Sequence, residues 1–168
     1  MWTAPMKTRQ IRPFRTCLVV DLENATRSAS PSRLAAETLH WRLSRVFVNP
    51  PDETFVASDP RNAFSSERYA ELSHGGFRVR SGRNGADLAI IDYLEEVIER
   101  NQRHRKHQFG YVRILSGDGI FIPVIRKLRQ IGIHVTVIGY RDTTNHGLYR
   151  EANRMVLLDD SLSQLVAA

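Results

Sequence analysis

The sequence predicts an α/β domain: a central parallel sheet of strand order 3-2-1-4-5 with helices on both faces. Three observations predict it. Short β-branched runs alternate along the 168 residues with helical stretches, the pattern of right-handed crossovers. The run Cys17-Leu18-Val19-Val20 is uninterrupted rather than alternating, as in a strand buried on both faces. Asp21 and Asp118 follow two of the strands, on the edge where open α/β sheets bind ligands. The expected organisation is a basic arm over residues 1–15 and one domain over 16–168, with no room for an appended domain.

Taken in order, residues 1–15 lack a hydrophobic period and carry Lys7, Arg9, Arg12 and Arg15. After the first strand, Ser30-Pro31 reads as an N-cap and first-turn proline for a helix over 31–47, supported by Leu34, Leu39, Trp41, Leu43 and Val46. Phe55-Val56-Ala57 is the second strand. Asp59-Pro60 opens a helix to Ser73, His74-Gly75-Gly76 is a turn, and Phe77–Ser81 is the third strand. A long helix is expected over Gly85–Arg103 and a fourth strand over Tyr111–Leu115. The turn Ser116-Gly117-Asp118-Gly119 leads into a helix with Ile120, Val124, Leu128 and Ile131 at helical spacing, ended by Gly132. Ile133–Ile138 is the fifth strand. A short helix at His146–Asn153, a strand at Met155–Leu158 and a C-terminal turn close the chain.

A hydrophobic content of 42% and a charged content of 25% are those of an ordinary globular protein. Cys17 is the lone cysteine, so a disulfide framework is excluded and a reducing, cytoplasmic setting is expected. No apolar run approaches the roughly 18–20 residues of a membrane span, and the basic N-terminus lacks the apolar segment of a signal peptide. The net charge is +6 with a pI of about 10.0, and arginine far outnumbers lysine. That balance points to a polyanionic partner, nucleic acid first, because the planar guanidinium suits phosphate.

The carboxylates narrow the chemistry. At 100° per residue, Ile90, Ile91, Leu94, Val97 and Ile98 share one face of the long helix, and Asp87 lies on that face, turned toward the sheet. Asp92 falls with Glu95, Glu96 and Glu99 on the solvent side. Asp87 could otherwise be a first-turn carboxylate serving the helix dipole, and Asp118 an N-cap worth roughly 1 kcal/mol. Brought together with Asp21, however, these acids repel unless a cation compensates them. Oxygen donors without a His/Cys cluster point to Mg²⁺ or Mn²⁺ rather than zinc. His104 and His107, in RNQRHRKH, sit about 27 Å from the helix start and read as a solvated helix end. Arg27, Arg61, Arg83 and Arg141 each follow a strand, so all four are expected on the edge that carries Asp21 and Asp118, as a phosphate-binding rim.

Three segments resemble the NYN domains, a branch of the PIN-like metal-dependent ribonucleases: LVVDLEN (18–24), NGADLAIIDYL (84–94) and LSGDGIFIPVIRKLRQIGIHVTVIG (115–139). The likeness covers roughly residues 16–158 and implies a three-layer PIN-like fold. By it, Asp21, Asp87 and Asp118 would be metal ligands, Asn24 would orient the water or a phosphate, and Ser116 would support the turn at the substrate. The implied reaction is hydrolysis of a single-stranded RNA phosphodiester by a metal-activated water. Three positions depart from the family pattern: Ile120 replaces the second acid of S-G-D-x-D, Asn84 stands for the usual lysine with Arg83 beside it, and Asn153 stands for a common aspartate. Ile120 keeps open a catalytically weak domain that binds RNA, a protein partner or a second copy. A purely structural domain is the third reading. A phosphatase-like hydrolase fits poorly, since Glu23 stands where that class has a second Asp.

Overall fold

The computed structural model describes residues 14–104 and 108–159. Most of the arm, His107 and the C-terminal turn therefore lie outside the described residues. Six strands form one sheet in the order β3-β2-β1-β4-β5-β6, and every neighbouring pair is parallel. They are β1 (Arg15–Asp21), β2 (Glu53–Ser58), β3 (Gly76–Val79), β4 (Phe109–Leu115), β5 (His134–Gly139) and β6 (Arg154–Leu157). The expected order holds, with the strand at Met155 added as the sixth. Arg15, assigned to the arm from sequence, is the first residue of β1.

The helices are α1 (Leu22–Thr26), α2 (Arg33–Val46), α3 (Ala63–Ser73), α4 (Gly85–Arg103), α5 (Ile122–Gln130) and α6 (His146–Glu151). The first of these has no counterpart in the sequence reading. It is a single turn begun directly by Asp21, too short to show a period. On one face of the sheet, α4 and α5 pack Ile90, Leu94, Val97, Ile125 and Leu128 against Val19, Val112 and Val135. Tyr93 stacks flat on Phe55 of β2, ring centroids 4.3 Å apart. On the other face, α1, α2 and α3 cover Leu18, Val20 and Val56 with Leu22, Leu39, Leu43 and Tyr69.

Several local expectations are corrected. Ser32, not Ser30, caps α2, its hydroxyl accepting the Ala35 N–H at 3.0 Å, because Pro31 precedes the cap rather than following it. Leu34 and Trp41 are 70% and 57% exposed, so the buried stripe of α2 is Ala36, Leu39 and Leu43. Asp59-Pro60 opens a 3₁₀ turn over Pro60–Asn62 before α3 begins. Ile131 caps α5 and is exposed, while Ile120 precedes the helix, half-buried against the α4/α5 core.

Gly85 sets where α4 begins. A Cβ there would lie 2.0 Å from the Arg80 carbonyl oxygen, so the α4 start packs backbone to backbone on the loop after β3. Gly85→Ala must push that loop or the helix aside and should destabilise by about 1–3 kcal/mol in urea unfolding, an ordinary overpacking cost. An unchanged midpoint would show that the contact is dispensable.

Candidate active site

The parallel register puts the tips of β1 and β4 side by side, Val20 opposite Leu115. The residues beyond them form the floor of a cleft of about 490 Å³ at the C-terminal edge of the sheet. Asp21 closes β1 and is 5% exposed. Its Oδ2 accepts the Ser116 hydroxyl at 3.1 Å, and its Oδ1 takes the Asn24 N–H at 3.5 Å as the cap of α1. Asp87, 8% exposed, comes from the sheet-facing side of α4 as its apolar stripe requires. It is within hydrogen-bonding reach of Asp21 when a proton lies between them.

The electrostatics follow from this contact. Burial, and then the neighbouring Asp87, push the Asp21 carboxyl up from 3.8 to about 7. Burial, and then Asp118, raise Asp87 as well. Asp118 lines the same cleft, its Oδ1 accepting the Ile120 N–H at 2.9 Å. The N-cap and cleft roles anticipated for Asp118 therefore coexist. Asn24 accepts the Gly117 N–H on its Oδ1 at 3.2 Å, tying α1 to the turn after β4. Ser116 is buried beneath, bonded to Asp21 and to the Asp118 N–H.

Of the four rim arginines, Arg27 and Arg61 line the cleft, whereas Arg83 and Arg141 are exposed outside its lining. Arg80, not singled out from sequence, lines it too. Each of the three lining arginines already holds a carboxylate: Arg27 with Asp142 at 2.5 Å, Arg61 with Asp59 at 2.9 Å, Arg80 with Asp92 at 2.9 Å. None of Asp21, Asp87 and Asp118 is ion-paired among the described residues. Glu23 was also missed as a site residue. Its Oε1 accepts the Asp59 N–H at 2.8 Å and the Asn62 amide at 2.6 Å, fastening the β2 loop to α1. The signal was a second acid two residues after Asp21. Asn153 sits far from the cleft, bracketing Val135 near the start of β5 through its backbone N–H and its Oδ1.

The donor set fits a hard divalent cation in its chemistry: oxygens only, two carboxylates in contact, a third close enough to raise one of them, and no arginine to neutralise any. Among the described residues no group of three or more carboxylates, imidazoles or thiolates is placed to hold a metal ion as it stands.

A family model for the NYN domain matches residues 15–159. The chain belongs to the NYN domain family. NYN domains fall within the PIN-like superfamily, whose nucleases generally use divalent metals. The search of curated proteins finds no match. The fold is similar to that of a protein of unknown function from Vibrio parahaemolyticus RIMD 2210633, with a TM-score of 0.60 and 16% identity over 88% of this chain and 94% of that one. Among the described residues no helix is long and apolar enough to cross a membrane.

The raised Asp21 makes a stability prediction for the metal-free protein. The folded state keeps this proton up to about pH 7, whereas the unfolded chain releases it near 3.8. Its contribution is therefore complete below pH 4 and lost as the pH rises through 7, at most about 4 kcal/mol. Asp21→Asn should flatten that decline and exceed the wild type in stability at pH 8, with Mn²⁺ raising the melting temperature of the wild type alone. Parallel pH–stability curves for the two proteins would rule the buried pair out.

Proposed function

We propose that this NYN domain is a divalent-metal-dependent endoribonuclease that hydrolyses phosphodiester bonds of single-stranded RNA. The observation that carries the reading is the asymmetry of the cleft: three neighbouring carboxylates lack a counter-charge while every arginine around them is committed to another acid. Leaving two buried carboxylates against each other is costly unless a cation belongs between them.

In this reading Asp21, Asp87 and Asp118 hold Mg²⁺ or Mn²⁺. The bound ion would supply a water of lowered pKa and charge stabilisation for the phosphorane-like transition state. The chain's own residues do the positioning. Ser116 orients the Asp21 carboxylate through its Oδ2, and Asn24 fixes the Ser116–Gly119 turn through its Oδ1. That bond turns the Asn24 side chain so that its amide N–H groups serve a phosphate oxygen in the cleft. Arg27 and Arg61 reach the RNA backbone by exchanging carboxylate for phosphate, and Arg83 and Arg141 extend the track outside the cleft.

Ile120 supports a second reading. It stands where a further acid is expected and packs on the α4/α5 core instead. A domain that binds RNA but cleaves it weakly has this signature.

Incubation of the purified protein with labelled single-stranded RNA and Mn²⁺ separates the two. The nuclease reading expects cleavage that Asp21→Asn abolishes and Ile120→Asp retains or increases. Binding without cleavage in all three proteins establishes the second reading. Cleavage indifferent to Asp21→Asn refutes the site.

A further inference from the structure

The sheet has two unequally covered faces. On the face packed by α1, α2 and α3, those helices lie over β1 and β2, and no helix among the described residues covers the first halves of β4, β5 and β6. Parallel pairing sets the side chains of this open area in two rows. Tyr111 stands opposite Thr16 and His134; two residues on, Arg113 stands opposite Thr136, which stands opposite Arg154. Cα partners in a parallel ladder share a face, so these six residues point the same way. They line a groove of about 770 Å³.

The composition of this groove is the opposite of the catalytic cleft. Tyr111 is 46% exposed, its ring 5.8 Å from that of His134. Arg113 lies over the Phe47 ring at 4.1 Å and gives one N–H to the Asn49 carbonyl. Neither Arg113 nor Arg154 pairs with a carboxylate among the described residues. Burial and the charge of Arg154 hold Arg113 below its usual range, as expected of two cations that no acid compensates. Asp52, the carboxylate lining this groove, accepts the Thr16 N–H at 2.7 Å. Phe14, 57% exposed, borders the groove where the described chain begins, and the sequence before it carries Lys7, Arg9 and Arg12.

We propose that this open sheet face is a stacking platform for single-stranded RNA, with bases on Tyr111 and His134 and phosphates at Arg113 and Arg154. An exposed Tyr111 beside a half-buried His134, with two arginines that hold no carboxylate flanking the buried Thr136, supplies the ring and the cations that sequence-tolerant single-strand binding requires. A duplex, whose bases are already stacked, cannot use them. Tyr111 pairs with Thr16, five residues from Asp21, so the platform lies about 17 Å down the strands from the carboxylates. It holds the RNA at a distance from the scissile bond and supplies affinity that the cleft, whose arginines are already paired with acids, lacks. The proposal rests on RNA being the substrate, but not on the cleft cutting it.

The test is fluorescence anisotropy of a labelled 12-nucleotide single-stranded RNA in EDTA, at several salt concentrations. Tyr111→Ala combined with Arg154→Ala should weaken binding about tenfold or more and lower the salt slope by about one. Tyr111→Phe should bind like the wild type, and circular dichroism should show the double variant folded. Mn²⁺-dependent cleavage of a short oligonucleotide, run beside it, reads the cleft alone. Loss of RNA affinity in the double variant upholds the platform even if no protein cleaves RNA, an outcome that refutes only the nuclease reading. Unchanged RNA affinity in the double variant, or no RNA binding by the wild type, overturns the platform. Lost self-association with unchanged RNA affinity makes the face a protein interface and overturns it as well.

Discussion

Two carboxylates held in contact out of water, Asp21 and Asp87, are the constraint around which this domain is built. Neither could be buried by its own element. Asp21 is carried in by a strand apolar on both faces, and Asp87 by a helix whose stripe of Ile90, Leu94 and Val97 must face the sheet. The hydrophobic burial of β1 and α4 therefore sustains an arrangement that electrostatics alone would disperse. Gly85 permits it by letting the start of α4 approach the Arg80 backbone. Ser116 and the α1 cap supply the hydrogen bonds that partly offset the desolvation of Asp21.

Around that pair, charge is sorted rather than evenly distributed. The arginines that line the cleft are paired with acids outside the trio: Asp142, Asp59 and Asp92 take Arg27, Arg61 and Arg80. The remaining faces of α4 are tied down in the same way, with Glu96 on Arg78 and Glu95 on Lys127. These exposed pairs add little stability. Their effect is to leave the cleft acidic, while Arg113 and Arg154 on the open face are among the arginines that no acid pairs with among the described residues. A net charge of +6 is thus a poor guide to where a polyanion binds.

The far end of the sheet shows a contrasting treatment of a half-buried acid. Glu53, at the start of β2, is pushed up by burial, but hydrogen bonds from Arg100 and Tyr93 outweigh that and hold it below the usual carboxylate range. One domain thus contains a carboxylate compensated by arginine and a carboxylate pair that is not. The first is a structural ion pair; the second is the arrangement on which the proposed metal site rests.

The sequence by itself determined the fold class, the strand order and the inward orientation of Asp87. Each rests on periodicity or on an unbroken apolar run, and burial follows those patterns for Cys17–Val20 and for Ile90, Leu94, Val97 and Ile98. It also placed Asp21 and Asp118 on the sheet edge, since residues at strand tips cannot be far from it, while Asn24 and Ser116 came from the family resemblance. It did not determine α1, a one-turn helix without a period, nor the solvent exposure of Leu34 and Trp41, which depends on which side of α2 meets α3. Only the tertiary structure decided which arginines enter the cleft and which acids hold them. Arg61 and Asp59 are local neighbours, two residues apart, but Arg27 and Asp142 lie 115 residues apart, and no local pattern records a pairing made by the sheet bringing separate loops to one edge.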